Sequence, residues 1–139
     1  MSLTKLAAVF AALVALAGPA AAQISVVVSA GSKHQPSQRE IVEMFVGLKT
    51  NWADGSRVQL VDQPDTPEGK RFYEAFLKQT PNSVRKELTR LVFAGEAMPP
   101  LRVDNATAVK KAVAEGTLRI GYIATSALDS TVREVYRIP

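Results

Sequence analysis

The chain has 139 residues, a length that suits one domain, with 17 Lys and Arg against 13 Asp and Glu and a formal net charge of +4. Its basic residues are scattered rather than blocked, which argues against a nucleic-acid partner. Cysteine is absent, so disulfides, thiolate metal sites and a lipid-modified cysteine are excluded, and an apolar core must hold the fold.

Residues 1–22 read as a cleaved export signal. Lys5 precedes an apolar run of about 12 residues from Leu6 to Ala17, then come Gly18-Pro19 and small residues at Ala20 and Ala22. That run is shorter than the ~20 residues a membrane span needs. Cleavage before Gln23 leaves a domain of residues 23–139, and loss of Lys5 leaves 16 basic residues against 13 acidic ones, or +3. The expectation is a soluble periplasmic protein whose mature chain does not insert into the membrane.

Ile24–Ser29 is a continuous β-branched run of the kind buried inside a parallel sheet covered on both faces. After the loop 31–36, Ser37-Gln-Arg-Glu40 has the spacing of a capping box, and Ile41, Met44 and Phe45 continue at helical spacing. Gly47 suits a left-handed helix end, and Asp54-Gly55 suits a turn. Val58–Val61 is a short strand, with Trp52 expected to pack over the crevice between it and the preceding helix. Thr66-Pro-Glu opens a helix whose Phe72, Tyr73, Phe76 and Leu77 share a face. Thr80-Pro81 recaps, and a further helix runs to Phe93. Beyond Pro99-Pro100, Leu101–Val103 is a minor strand, and Asp104 or Asn105 caps a helix through Val109 and Val113. Leu118–Ile123 is a strand in which Gly121 permits close approach of another backbone, and the alternation in Thr131–Ile138 marks an edge strand. Strands alternating with helices imply an α/β fold: a single three-layer α/β/α domain with a mostly parallel mixed sheet.

The order of these segments over residues 24–125 resembles the phosphate-binding proteins of phosphate ABC transporters, which are type II periplasmic binding proteins. The matching features are the helix end Met44-Phe-Val-Gly47, Trp52, the helix with Phe72 and Phe76, and Ile120-Gly121-Tyr122. The resemblance implies the fold of one lobe, because full members are more than twice this long and close two lobes around a cleft. It also implies a role in solute binding, with phosphate or a similar small anion as ligand. Family members grip phosphate partly with an arginine followed by a Ser-Gly-Thr turn. The corresponding stretch, Val61–Gly69, has neither that arginine nor the Ser-Gly pair, while Asp62, Asp65 and Glu68 add negative charge and Pro67 removes an amide.

Two loops hold the candidate ligand-binding residues. One comprises Gln63, Thr66, Gly69 and Arg71, where helix-start amides and a guanidinium could meet an anion. The other comprises Gly31, Ser32 and Lys33, after the first strand. His34, the only histidine, reads as a solvated loop residue, and one histidine builds neither a histidine-rich metal site nor a placeable triad. No phosphate-loop, dinucleotide or hydrolase motif is present, so neither an enzyme nor a cofactor is expected. Expected partners are a small anion, an ABC transporter or other envelope protein, and a second copy of the chain rebuilding a two-sided cleft. The alternative is a non-catalytic accessory module that kept the fold and lost the phosphate site.

Overall fold

The structure, a computed structural model, describes residues 23–139. The export signal expected over residues 1–22 lies outside the described residues. Among the described residues no helix is long and apolar enough to cross a membrane.

Five strands of the described residues form one sheet: β1 (Ile24–Ser29), β2 (Gln59–Asp62), β3 (Leu101–Arg102), β4 (Arg119–Ala124) and β5 (Val132–Ile138), in the order β3-β2-β4-β1-β5. β2 is parallel to β3 and β4, whereas β1 is antiparallel to both β4 and β5. Four strands therefore point one way and β1 alone opposes them, a mixed sheet of mostly common direction. The apolar run of β1 reflects burial on both faces and not the parallel pairing expected for it, since the strand is antiparallel to both its neighbours. Ile24, Val26 and Val28 enter one core cluster, and Val27 enters the other.

The helices α1 (Gln38–Val46) and α3 (Pro81–Phe93) contribute to the larger cluster, the short α2 (Pro67–Arg71) leads into a turn that also enters it, and α4 (Ala106–Ala114) contributes Val109 and Val113 to the smaller. This is the three-layer α/β/α arrangement. The capping box of α1 is present in full, and Gly47 ends the helix at φ 89°. Asn105, rather than Asp104, caps α4. Gly121 lies under α4, where a Cβ would come within 2.9 Å of the Val109 side chain. A close approach was expected there, and it is made by helix side chains rather than by another backbone.

Three local departures have physical causes. After α2 the chain widens into a π-helical turn, Phe72–Leu77, closed by Lys78 at φ 54°. This turn buries Phe72, Tyr73, Phe76 and Leu77 together. In β5 the clean alternation breaks because the pairing with β1 shifts between Val26 and Val27, so that Val26 faces Tyr136 and Val27 faces Glu134. The residue between them is bulged, and both Val135 and Tyr136 pack on the larger core cluster. Finally, His34 is not a solvated loop residue, since its ring stacks on Trp52 with centroids 4.0 Å apart. Trp52 is buried and donates its indole N–H to the Leu118 carbonyl at 3.0 Å.

Candidate functional site

β2 ends in Asp62, and the chain then turns through Gln63–Thr66 into α2. Asp62 is buried, with each carboxylate oxygen accepting one phenolic hydrogen bond: from Tyr73 to Oδ2 and from Tyr122 to Oδ1, both at 2.5 Å. Burial first, and the Asp62 charge second, push both tyrosines well above their ordinary pKa, so they remain protonated donors. Gln63 locks the same cluster. Its Nε2 donates to the Tyr122 carbonyl at 2.7 Å, and its amide donates to the Tyr122 phenol oxygen at 3.3 Å. Phe72 stacks on Tyr122 with centroids 3.8 Å apart and holds that ring.

This arrangement corrects one sequence expectation. Asp62 does not confront an anion at the surface, because it is buried and each of its oxygens is engaged by a phenol, Tyr73 or Tyr122. The two tyrosines are the residues that sequence reasoning missed. Tyr73 read as one apolar position of a helical stripe, and nothing in the spacing showed that β4 would bring Tyr122 beside the end of β2.

The loop amides are mostly committed internally. Those of Gln63, Thr66, Gly69 and Lys70 donate to Tyr122 Oη, Gln63 O, Thr66 Oγ1 and Thr66 O respectively, while Pro64 and Pro67 have none. The Thr66 hydroxyl also donates to Gln63 O at 2.8 Å. Gly69 is required sterically, because a Cβ there would lie inside van der Waals contact of the Gln63 carbonyl. Arg71 donates to the Pro139 carbonyl at 2.8 Å, tying α2 to the end of β5, and its buried Nε has no partner among the described residues.

Outside this loop lies an open cleft of about 470 Å³, lined by Pro64, Asp65, Thr66, Lys70, Tyr73 and Glu74 and bounded by Thr80-Pro81. Lys70 is its single cation among the described residues, against the carboxylates of Asp65 and Glu74. Of the candidate residues in this loop, Thr66 reaches the cleft wall, whereas Gln63, Gly69 and Arg71 shape the loop from behind.

The second candidate loop lies elsewhere. Val28 and Leu60 both face Ile120, and β1 and β2 run in opposite directions, so their following loops leave opposite edges of the sheet. The fold thus separates Gly31, Ser32 and Lys33 from Gln63, Thr66, Gly69 and Arg71. Ser32 is buried, its amide donating to Ser29 O at 2.9 Å and its hydroxyl accepting from the His34 amide at 3.2 Å. Lys33 and Gly31 are exposed. Among the described residues no cluster of His, Asp and Glu is arranged to hold a metal ion.

No protein-family model matches the chain, and no curated protein matches it. Solved structures do. A protein of Clostridium perfringens described as a phosphate ABC transporter substrate-binding protein, with phosphate bound, superimposes with a TM-score of 0.65 at 18% identity. PstS of Borrelia burgdorferi gives 0.59 at 10% identity, and an ABC-type phosphate transport receptor of Vibrio cholerae gives 0.55 at 16%. Each match covers 82% of this chain and 45–47% of the other, so the chain spans less than half the length of these structures. At such identities the likeness is one of fold. The chain has the fold of one lobe of the phosphate ABC transporter substrate-binding proteins.

Proposed function

We propose that residues 23–139 act as a periplasmic solute-binding-like domain in connection with ABC-type transport, delivered by a cleaved signal over residues 1–22. The observation that carries this reading is the cleft of about 470 Å³ at the carboxyl end of β2. Open α/β sheets take ligands outside the carboxyl ends of their strands, and this volume suits a small solute. Phosphate or a similar small anion is the first ligand to test, with Lys70 supplying charge and Thr66 polarity at the wall. A second copy of the chain, or an envelope partner, would supply the opposite wall.

One observation favours a second reading, an accessory module that kept the fold and lost the phosphate site. Most of the loop amides are consumed internally, and Asp65 and Glu74 flank Lys70. Calorimetric titration with inorganic phosphate and sulfate, paired with melting curves, separates the two. Binding to the folded state alone must raise stability, by about 2.7 kcal/mol at a hundredfold excess over Kd. The solute-binding reading expects saturation, a raised Tm and weaker binding in Lys70→Ala. No heat and a flat Tm at millimolar anion transfer the assignment to the accessory module. Light scattering of the same samples shows whether two copies assemble.

A further inference from the structure

The chain contains nine arginines. Seven donate hydrogen bonds to defined acceptors: Arg39 to Glu43, Arg57 to Gly95, Arg71 to Pro139, Arg90 to Glu87, Arg119 to Gln59, Arg133 to Gln35, and Arg137 to Glu134. The remaining two, Arg85 and Arg102, have neither an ion pair nor a hydrogen bond among the described residues. Both line the same groove, of about 270 Å³, between α3 and the β3 edge of the sheet.

The fold brings them together from distant parts of the chain. Arg102 sits on β3 directly opposite Asp62 on β2, the acid that would be its natural partner. Asp62 accepts instead from Tyr73 and Tyr122, and the guanidinium of Arg102, which makes no ion pair with it, lines the groove. Arg85 reaches it from α3, and the exposed Thr89 one turn on adds a hydroxyl. Leu88, Val92 and Pro100 form an apolar floor, and among the described residues no acidic side chain lines the groove. Two unpartnered guanidiniums over an apolar floor are complementary to a molecule with an anionic head and an apolar body. Guanidinium groups grip carboxylates and phosphates in paired hydrogen bonds.

We propose that the α3–β3 groove is a second ligand site, which takes a small organic anion by its head on Arg85 and Arg102 and by its body on Leu88, Val92 and Pro100. This site is separate from the cleft beside Lys70 and does not depend on the function proposed for that cleft.

The test is calorimetric titration of the full mature domain with phenyl phosphate, benzoate and inorganic phosphate, in the native protein, an Arg85→Gln/Arg102→Gln double variant and Lys70→Ala. Both arginines are exposed, so the double variant should melt within about a degree of the native protein. Saturation by an aromatic anion below about 10 mM, weakened about tenfold or more in the double variant and unchanged in Lys70→Ala, supports the site. A preference for phenyl phosphate or for benzoate then identifies the head group. No saturation by either aromatic anion, or equal affinity in the double variant, overturns the proposal. Loss in Lys70→Ala alone overturns it by placing the ligand in the cleft. Inorganic phosphate binding as tightly as phenyl phosphate overturns the role of the apolar floor.

Discussion

Asp62 shows how a single side chain changes meaning once its neighbours are in place. As a letter beside Asp65 and Glu68 it adds to a repulsive loop, yet in the fold it is a buried acceptor for two phenols. This has a consequence in alkali. Below pH 10, the ordinary tyrosine value, both phenols are protonated whether the chain is folded or not, and their contribution is complete. Above it the unfolded chain loses protons that the folded chain keeps on Tyr73 and Tyr122. Fewer protons are then bound in the unfolded state, so stability falls as pH rises, by about 1.4 kcal/mol per pH unit for each tyrosine. Urea titrations from neutral pH to about pH 11 should show this limb. Tyr122→Phe should roughly halve its slope, and at neutral pH should cost about 1–3 kcal/mol by removing a donor from a buried carboxylate. A stability that stays level up to about pH 11 in the native protein would contradict the Asp62 cluster.

At the scale of elements, the termini of helices were the most legible features. The Ser37 hydroxyl accepts from the Glu40 amide at 3.2 Å, and the Glu40 carboxylate accepts from the Ser37 amide at 3.3 Å. Ser37→Ala removes half of that exchange and should cost about 1 kcal/mol, seen as a lower urea midpoint with an unchanged slope. Loss of less than ~0.3 kcal/mol would mean that α1 is held by the packing of Ile41, Met44 and Phe45 alone. Caps are legible because their hydrogen bonds span three or four residues. The π-helical turn over Phe72–Leu77 and the bulge in β5 were not legible. Both are fitted to surfaces supplied by remote segments, the core under Tyr122 in one case and β1 in the other.

For the molecule as a whole, the direction of β1 matters most, because it sends its loop to the edge opposite the cleft. Trp52 and His34 lie at that far edge, beside Leu118 and the start of β4. Ligands that enter the cleft should therefore leave tryptophan emission nearly unchanged, even while heat is released in calorimetry. His34→Ala should alter the emission directly by unstacking the indole. A large emission change on adding phosphate would place binding near Gly31–Lys33 instead. By itself the sequence determined the α/β layering, the caps, the buried character of β1 and the likeness to one lobe of a phosphate-type binding protein, because periodicity and capping are local and the order of segments is linear. Only the tertiary structure decided that the two candidate loops sit apart, that Asp62 is claimed by Tyr73 and Tyr122, and that Arg85 and Arg102 share a groove. Each of those facts depends on which strands become neighbours, and strand pairing is a long-range choice that no short stretch of chain encodes.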